Sequence, residues 1–148
     1  MCMGNTEAVF SESLEKLPDA AMIREKVFVE EQGFETEFDE TDSRSVHCVL
    51  YQDGKCAATA RFFTEDGRTM HIGRVAVLKE YRGTGLGAEV VRACEDYAAK
   101  QGFRRFELSA QVRVTGFYKS LGYIPFGDEY MDEFCPHINM YKEIADDT

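Results

Sequence analysis

The sequence has no surplus of positive charge: 17 Lys and Arg stand against 27 Asp and Glu, a formal net charge of −10 with neutral histidine. Phosphate backbones bind basic faces, so nucleic acid is excluded as a principal partner. Also missing are an apolar run near the roughly 20 residues of a membrane helix and a basic-then-apolar leader. A soluble, cytoplasmic protein without membrane contact is expected. The five cysteines (Cys2, Cys48, Cys56, Cys94 and Cys135) are odd in number, irregularly spaced and without a Cys-x-x-Cys pair. They read as reduced, core-filling residues rather than a disulfide framework. Cys135, beside Pro136 and His137, is the one candidate reactive thiol. Neither His-x-x-x-His nor His-Glu-x-x-His occurs among the three histidines, so no metal site is expected. No repeat, low-complexity tract or Pro/Gly/Ser-rich linker divides the 148 residues, which predicts a single domain over 1–148.

What the chain does hold is 44% hydrophobic residues, enough for a core, arranged in alternating strand and helix patterns. A short extended start near Ala8–Phe10 precedes a helix beginning at Pro18, a residue suited to the first turn. Ala20, Ile23, Val27 and Phe28 keep one face apolar to about Glu31, and Gly33 ends it. Phe34–Ser45 is acidic and reads as irregular. Val46–Tyr51, Cys56–Phe63 and Thr69–Leu78 read as three antiparallel strands joined at Asp53-Gly54 and Asp66-Gly67. Gly85–Lys100 has helical spacing, Phe106–Ala110 reads as a strand and Thr115–Leu121 as a short helix. Tyr123–Phe126 and Ile138–Tyr141 read as closing strands. The fold class is α/β (α+β).

The sharpest local pattern is the apolar Val75-Ala76-Val77, then Arg82-Gly83-Thr84-Gly85-Leu86-Gly87 opening a helix. Glycines leave backbone N–H groups uncovered where the helix dipole is positive, and a guanidinium stands beside them. Such a turn suits a pyrophosphate. It lacks the Gly-Lys-Ser/Thr of a Walker loop and the Gly-x-Gly-x-x-Gly of a dinucleotide fingerprint. A tight turn that binds nothing remains the alternative at this point.

Arg82-x-x-Gly85-x-Gly87 after an apolar strand resembles the acetyl-CoA motif of the GNAT N-acetyltransferase superfamily. Phe117-Tyr118-Lys119-Ser120-Leu121-Gly122-Tyr123 is similar to its second signature. Arg24-x-x-Val27-Phe28-Val29-x-Glu31-Gln32 and Pro136-His137-Ile138-x-Met140 resemble the small ElaA/YjcF-like bacterial branch. The resemblance spans about Phe10 to Glu143. It implies a mixed, mostly antiparallel central sheet flanked by helices and splayed between the fourth and fifth strands. Acetyl-CoA as cosubstrate would sit in that gap, its pyrophosphate on Arg82, Gly83, Thr84, Gly85, Leu86 and Gly87. Its pantetheine arm would pair with Val75, Ala76 and Val77 like an added strand. Phe117 would pack the core or flank the arm. Gln111 stands where many members carry Asn, and is carried as a cofactor-binding residue with a longer amide.

Charge distribution points the same way. Arg68–Lys119 holds ten basic and five acidic residues, a balance of +5, and the remainder stands at −15. An anionic ligand on one side and a cationic one on the other would suit this asymmetry. CoA is the anion; an amine, on a small molecule or a peptide, is the cation. The acidic stretch Glu30, Glu31, Glu35, Glu37, Asp39, Glu40 and Asp42 would meet it, a solvated loop being the other reading.

An alkylammonium has a pKa of ~10.4, so baring its lone pair at pH 7 costs roughly 4–5 kcal/mol. A base or a desolvating pocket has to offset this. Tyr118 is the candidate general acid for the CoA thiolate. Glu31 and His71 are candidate bases; strand alternation puts His71 with Gly73 and Val75 and opposite Arg74. His47 reads as structural. Gln32 and His137 are candidate acceptor-pocket residues. The expected reaction is direct transfer in a ternary complex, with no nucleophile other than Cys135 near a motif. The rivals are a noncatalytic acyl-CoA sensor, and an acyltransferase with another donor or a hydroxyl acceptor. Pairing of two copies into a homodimer fits the resemblance.

Overall fold

The structure is a computed structural model and describes residues 5–35 and 37–145. Cys2 lies outside them. The elements, in order, are β1 (Thr6–Ser11), α1 (Pro18–Arg24), β2 (Val46–Gln52), β3 (Lys55–Phe63), β4 (Thr69–Val77), α2 (Leu86–Lys100), β5 (Arg105–Gln111), α3 (Thr115–Ser120), β6 (Ile124–Asp132) and β7 (Cys135–Glu143). The seven strands form a sheet in the order β1-β2-β3-β4-β5-β7-β6. Neighbours are antiparallel except β4 and β5, which run parallel.

That parallel pairing is short. It joins Thr69–His71 to Arg105–Glu107 and stops, although β4 continues to Val77 and β5 to Gln111. Beyond His71 the two strands diverge, which opens the sheet along the distal half of β4. The expected splay between the fourth and fifth strands is therefore present.

Apolar side chains cover both faces. Leu86, Val90, Val91, Cys94 and Ala98 of α2 pack on Cys48, Leu50, Phe62, Met70, Ile72 and Phe106. Leu17, Ala20, Ile23 and Val27 pack on Val49, Ala76 and Leu78 of the other face. Alternation along β4 breaks between these groups, since Met70 and Ile72 serve one core and Ala76 and Leu78 the other. The cause is a bulge: Thr59 and Arg61 of β3 stand opposite Ala76 and Gly73, so β4 carries one residue more than its partner. Arg74 there has φ +51°, and the extra residue reverses the faces beyond it. This corrects the placement of His71 and Val75 on a common face. Val75 packs against the α2-side core, while the His71 ring stacks on Phe63 at 5.2 Å.

Other elements differ from expectation in extent. The helix from Pro18 changes to π-helical bonding over Glu25–Glu31, with the Gln32 N–H donating to the Val27 carbonyl at 3.2 Å. Apolar spacing over so few turns does not separate this from ordinary helix. The closing strands are longer, at nine residues each, because the outer half of β6 is exposed and carries no burial pattern to read. Phe34–Ser45 is not a loose loop: Glu40–Arg44 is a 3-10 turn capped by Asp39, and Glu37 and Asp42 are buried. Cys48, Cys56, Cys94 and Cys135 are free thiols.

Candidate active site

The opened sheet edge leads to the turn before α2. Gly83 and Gly85 have φ of +80° and +86°, left-handed conformations that glycine adopts without steric cost. A Cβ at either would meet nothing within 4 Å, so their faces are bare. At Gly87 a Cβ would lie 3.3 Å from Phe117 Cζ and 3.5 Å from Val77, so glycine lets the helix start sit close to α3 and β4. No side chain caps α2. Its first N–H groups therefore face outward with the positive end of the dipole. A cavity of about 570 Å³ runs beside this turn, lined by Val75, Ala76, Val77, Arg82, Gly83, Gly85, Leu86, Gly87 and Phe117 among others. The residues present fit a pyrophosphate followed by an extended, amide-bearing chain.

Arg82 is already engaged. Its Nε donates to the Val77 carbonyl at 3.0 Å, and both terminal nitrogens meet the Glu31 carboxylate, at 2.8 and 2.9 Å. The Thr84 hydroxyl turns inward to the Tyr81 carbonyl at 2.5 Å. Gln32, the next residue after Glu31, accepts from the Gln111 amide at 2.8 Å, and Gln111 in turn accepts from Arg113 Nε at 2.8 Å. The end of the π-helical segment is thus tied to β4 and β5 on both sides of the split.

A second cavity, about 600 Å³, opens on the other side. Phe28, Phe34, Glu37, Asp39, Arg74, Arg113, Ser109, Tyr130, Asp132, Glu133 and His137 contribute to its walls. Glu37, Asp39 and Arg74 of these walls belong to an ionic lattice that continues behind them. Arg24, 1% exposed at the end of α1, meets Glu37 and Asp42, both at 2.7 Å; Arg61 meets Asp39 at 2.7 Å and Asp42 at 2.8 Å; Arg74 bridges Glu37 and Asp39. For Asp42, burial alone would raise the carboxyl pKa; the bonds from Arg24 and Arg61 outweigh it and hold the value at about 2. For Glu37 burial prevails and the pKa is raised. His47 Nε2 bonds the Asp42 carbonyl at 3.0 Å, and burial lowers its pKa, keeping it a neutral structural residue.

Tyr118 lines both cavities. It is 8% exposed, and its hydroxyl has no hydrogen-bond partner among the described residues. Burial raises its pKa, so the phenol stays protonated at neutral pH. Val75, Gln32, Arg113 and Val114 also border both spaces, so the cavities meet at Tyr118.

The structure does not bring the two candidate bases to this junction. Glu31 is held by Arg82 and borders only a smaller pocket, and His71 lines neither large cavity. His137 does line the second cavity. Its Nδ1 lies 2.9 Å from the Cys135 carbonyl, which only accepts, so Nδ1 carries the proton. Cys135 borders the smaller pocket, with its thiol 3.8 Å from the Pro136 carbonyl. The acidic stretch is also not an open cation trap, because arginines neutralise Glu37, Asp39 and Asp42. Among the described residues no cluster of His, Cys, Asp and Glu could hold a metal, and no helix is long and apolar enough to cross a membrane.

The family model described as Acetyltransferase (GNAT) family matches residues 11–123. The chain belongs to this family. Among GNAT relatives, an uncharacterized N-acetyltransferase of Bacillus subtilis, YjcF, is 37% identical over 140 residues, covering 93% of this chain and 99% of YjcF. A solved Lactobacillus plantarum structure is 31% identical with a TM-score of 0.87, over 95% of this chain and 99% of that one. Escherichia coli ElaA is 26% identical at a TM-score of 0.81, over 95% and 100%. The YjcF/ElaA-like branch of the GNAT family is thus where this sequence falls.

Sequence reasoning missed the ionic lattice beside the second cavity. Arg24 entered only as part of a family signature and Arg74 only through strand alternation; Arg61 was visible as a charge inside an apolar run, and that misfit was the usable signal. Tyr130, Asp132 and Glu133 gave none, because the exposed arm of β6 has no pattern to mark it.

Proposed function

We propose that the protein transfers an acetyl group from acetyl-CoA to a primary amine by direct attack within a ternary complex. The observation that carries this reading is the place of Tyr118, where a bare-amide cavity and a charged, aromatic cavity meet. Gly83, Gly85, Leu86 and Gly87 would hold the pyrophosphate, and the free edge of Val75–Val77 the pantetheine arm. CoA supplies a thioester, whose carbonyl carbon is the electrophile.

The acceptor enters from the other cavity, and its nitrogen has to be neutral to attack. Arg113, exposed and without an ionic partner among the described residues, lies at the junction and disfavours an ammonium there. As the N–C bond forms and the C–S bond breaks, the electron pair goes to sulfur and the nitrogen sheds a proton to water. Tyr118 donates its hydroxyl proton toward that sulfur and is reprotonated from solvent. Its raised pKa opposes complete release, so a strong hydrogen bond to the developing thiolate is the larger part of its contribution.

Tyr118→Phe tests this. A thiol-release assay should show kcat lower by about 100-fold, with kcat/KM falling in parallel. Calorimetry with CoA should give affinity within about twofold of the parent protein. Unchanged turnover removes Tyr118 from the chemistry. Binding of acetyl-CoA without thiol release from any amine by the parent protein supports the sensor reading instead.

A further inference from the structure

We infer that Arg74 is a positioning residue for the transfer step: anchored to Glu37 and Asp39, it holds a bulge in β4 that sets Val75 beside Tyr118. This rests on the acetyl-transfer reading above and adds the residue that fixes where the thioester lies. The glycine turn follows β4, so an arm paired with Val77, Ala76 and Val75 would run back along the strand. Its thioester end would then reach Val75, which borders both cavities together with Tyr118.

Among the described residues no strand pairs with this point of β4. The parallel pairing to β5 ends at His71, and the register with β3 passes from Gly73 straight to Ala76. Arg74 and Val75 are left without a register partner on either side. Arg74, at φ +51°, is also the one non-glycine residue with a left-handed backbone inside a strand among the described residues. Asp53 and Glu133, which share that conformation, lie in the turns between β2 and β3 and between β6 and β7. A residue with a Cβ resists it, so it persists only where the surroundings impose it.

The Arg74 side chain supplies that restraint. Its Nε lies 3.1 Å from the Glu37 carboxylate and 3.2 Å from the Glu37 carbonyl oxygen, and a terminal nitrogen donates to Asp39 at 3.3 Å. Both anchors are held from behind: Glu37, 4% exposed, by Arg24 at 2.7 Å, and Asp39 by Arg61 at 2.7 Å. A planar fork between fixed carboxylates sets position as well as charge. Removing it leaves Glu37 with Arg24 and Asp39 with Arg61, so neither carboxylate is orphaned and the fold should survive. What is lost is the pin on β4. The glycine turn and Val77 lie beyond the bulge and would keep most of the affinity for CoA, whereas a shift of about 1 Å at the reacting atoms can cost ~100-fold in rate.

The experiment compares the parent protein with Arg74→Ala and Arg74→Lys, and repeats Arg74→Ala in Tyr118→Phe. In a crystal structure of ligand-free Arg74→Ala, residue 74 should leave the left-handed region and Val75 should move by about 1 Å. Thiol release should show kcat lower by about 30-fold, with the acceptor KM and the calorimetric affinity for acetyl-CoA within about threefold of the parent. In Tyr118→Phe the same substitution should cost no more than about threefold further, because the group it aligns is gone. Arg74→Lys keeps the charge without the fork, so it should lose about three- to tenfold, and it carries the same comparison where Arg74→Ala folds poorly. An unmoved bulge, an unchanged kcat, a loss confined to the acceptor KM, or a full further loss in Tyr118→Phe overturns the positioning role and leaves acetyl transfer standing. If the parent releases no thiol with any amine while acetyl-CoA binds, the transfer reading fails and the positioning role falls with it.

Discussion

The two walls of the split sheet are made of different materials. The donor wall is backbone: two left-handed glycines, an uncapped helix start and a strand edge that lost its partner at His71. The wall proposed for the acceptor is side chains drawn from the π-helical segment, the acidic segment, β4, β5, β6 and β7, with Glu37, Asp39 and Arg74 locked into arginine–carboxylate contacts that reach Arg24 and Arg61 behind it. On the reading proposed above, backbone N–H groups would recognise what every CoA thioester has in common. A side-chain wall can be rebuilt one residue at a time. The shared chemistry would thus lie on the part that substitution alters least, and the selectivity on the part that it alters most.

The sharpest way to break this contrast is to clothe the donor wall. A Cβ at Gly85 meets nothing within 4 Å, so Gly85→Asp, although strained by the left-handed backbone, puts a carboxylate into the space proposed for a diphosphate without a packing clash. Repulsion at short range, with loss of the bare amide face, should weaken CoA binding by at least about 100-fold. Gly85→Asn has nearly the same bulk and tolerates the left-handed backbone, so it separates charge from size. Calorimetry that finds near-parental affinity in Gly85→Asp would remove the pyrophosphate assignment.

The lattice behind the acceptor wall should respond to acid instead. The Asp42 carboxyl pKa is held at about 2 against an unfolded value of about 3.9. A depressed pKa stabilises the fold above the unfolded value, and the contribution is lost as pH falls through the folded value. Between pH ~4 and ~2 about 2 kcal/mol should disappear. Glu37 acts in the opposite sense, because its pKa is raised: its share of stability declines as pH rises through the window above the unfolded value. Urea unfolding at stepped pH measures the balance. A flat profile from pH 4 to 2 would mean that the lattice does not hold Asp42 ionised.

How much of this was legible follows the same division. The glycine turn was readable because it is built from consecutive residues, Arg82 to Gly87, whose missing side chains are visible in the sequence. The strands were readable where a continuous run is buried, as in β2 and β3, and less so in β6, whose outer half has no buried face. The ionic lattice was illegible because Arg24, Glu37, Asp42 and Arg61 lie up to 37 positions apart and only the sheet and α1 bring them together. His71 went astray for a local reason. Period-two reasoning assumes an unbroken ladder, and the extra residue at Arg74 reverses the faces.

The smallest expected effect lies where the two walls are tied. Glu31 is a natural suspect for a base, yet both its oxygens are engaged by Arg82, whose Nε also bonds the last carbonyl of β4. In that position it orients a guanidinium beside the donor turn instead of receiving a proton from the acceptor. The pair is partly exposed, with side chains 35% and 43% accessible, so solvent screens it. Glu31→Gln keeps one hydrogen bond and removes the charge. It should raise the acetyl-CoA KM by only about two- to fivefold, with kcat and the pH profile nearly unmoved. A general base removed in the same way would lower kcat by about 100-fold or more and abolish the acid limb of the profile. Steady-state kinetics across pH with the full chain distinguishes the two, and a lost acid limb would return Glu31 to the chemistry.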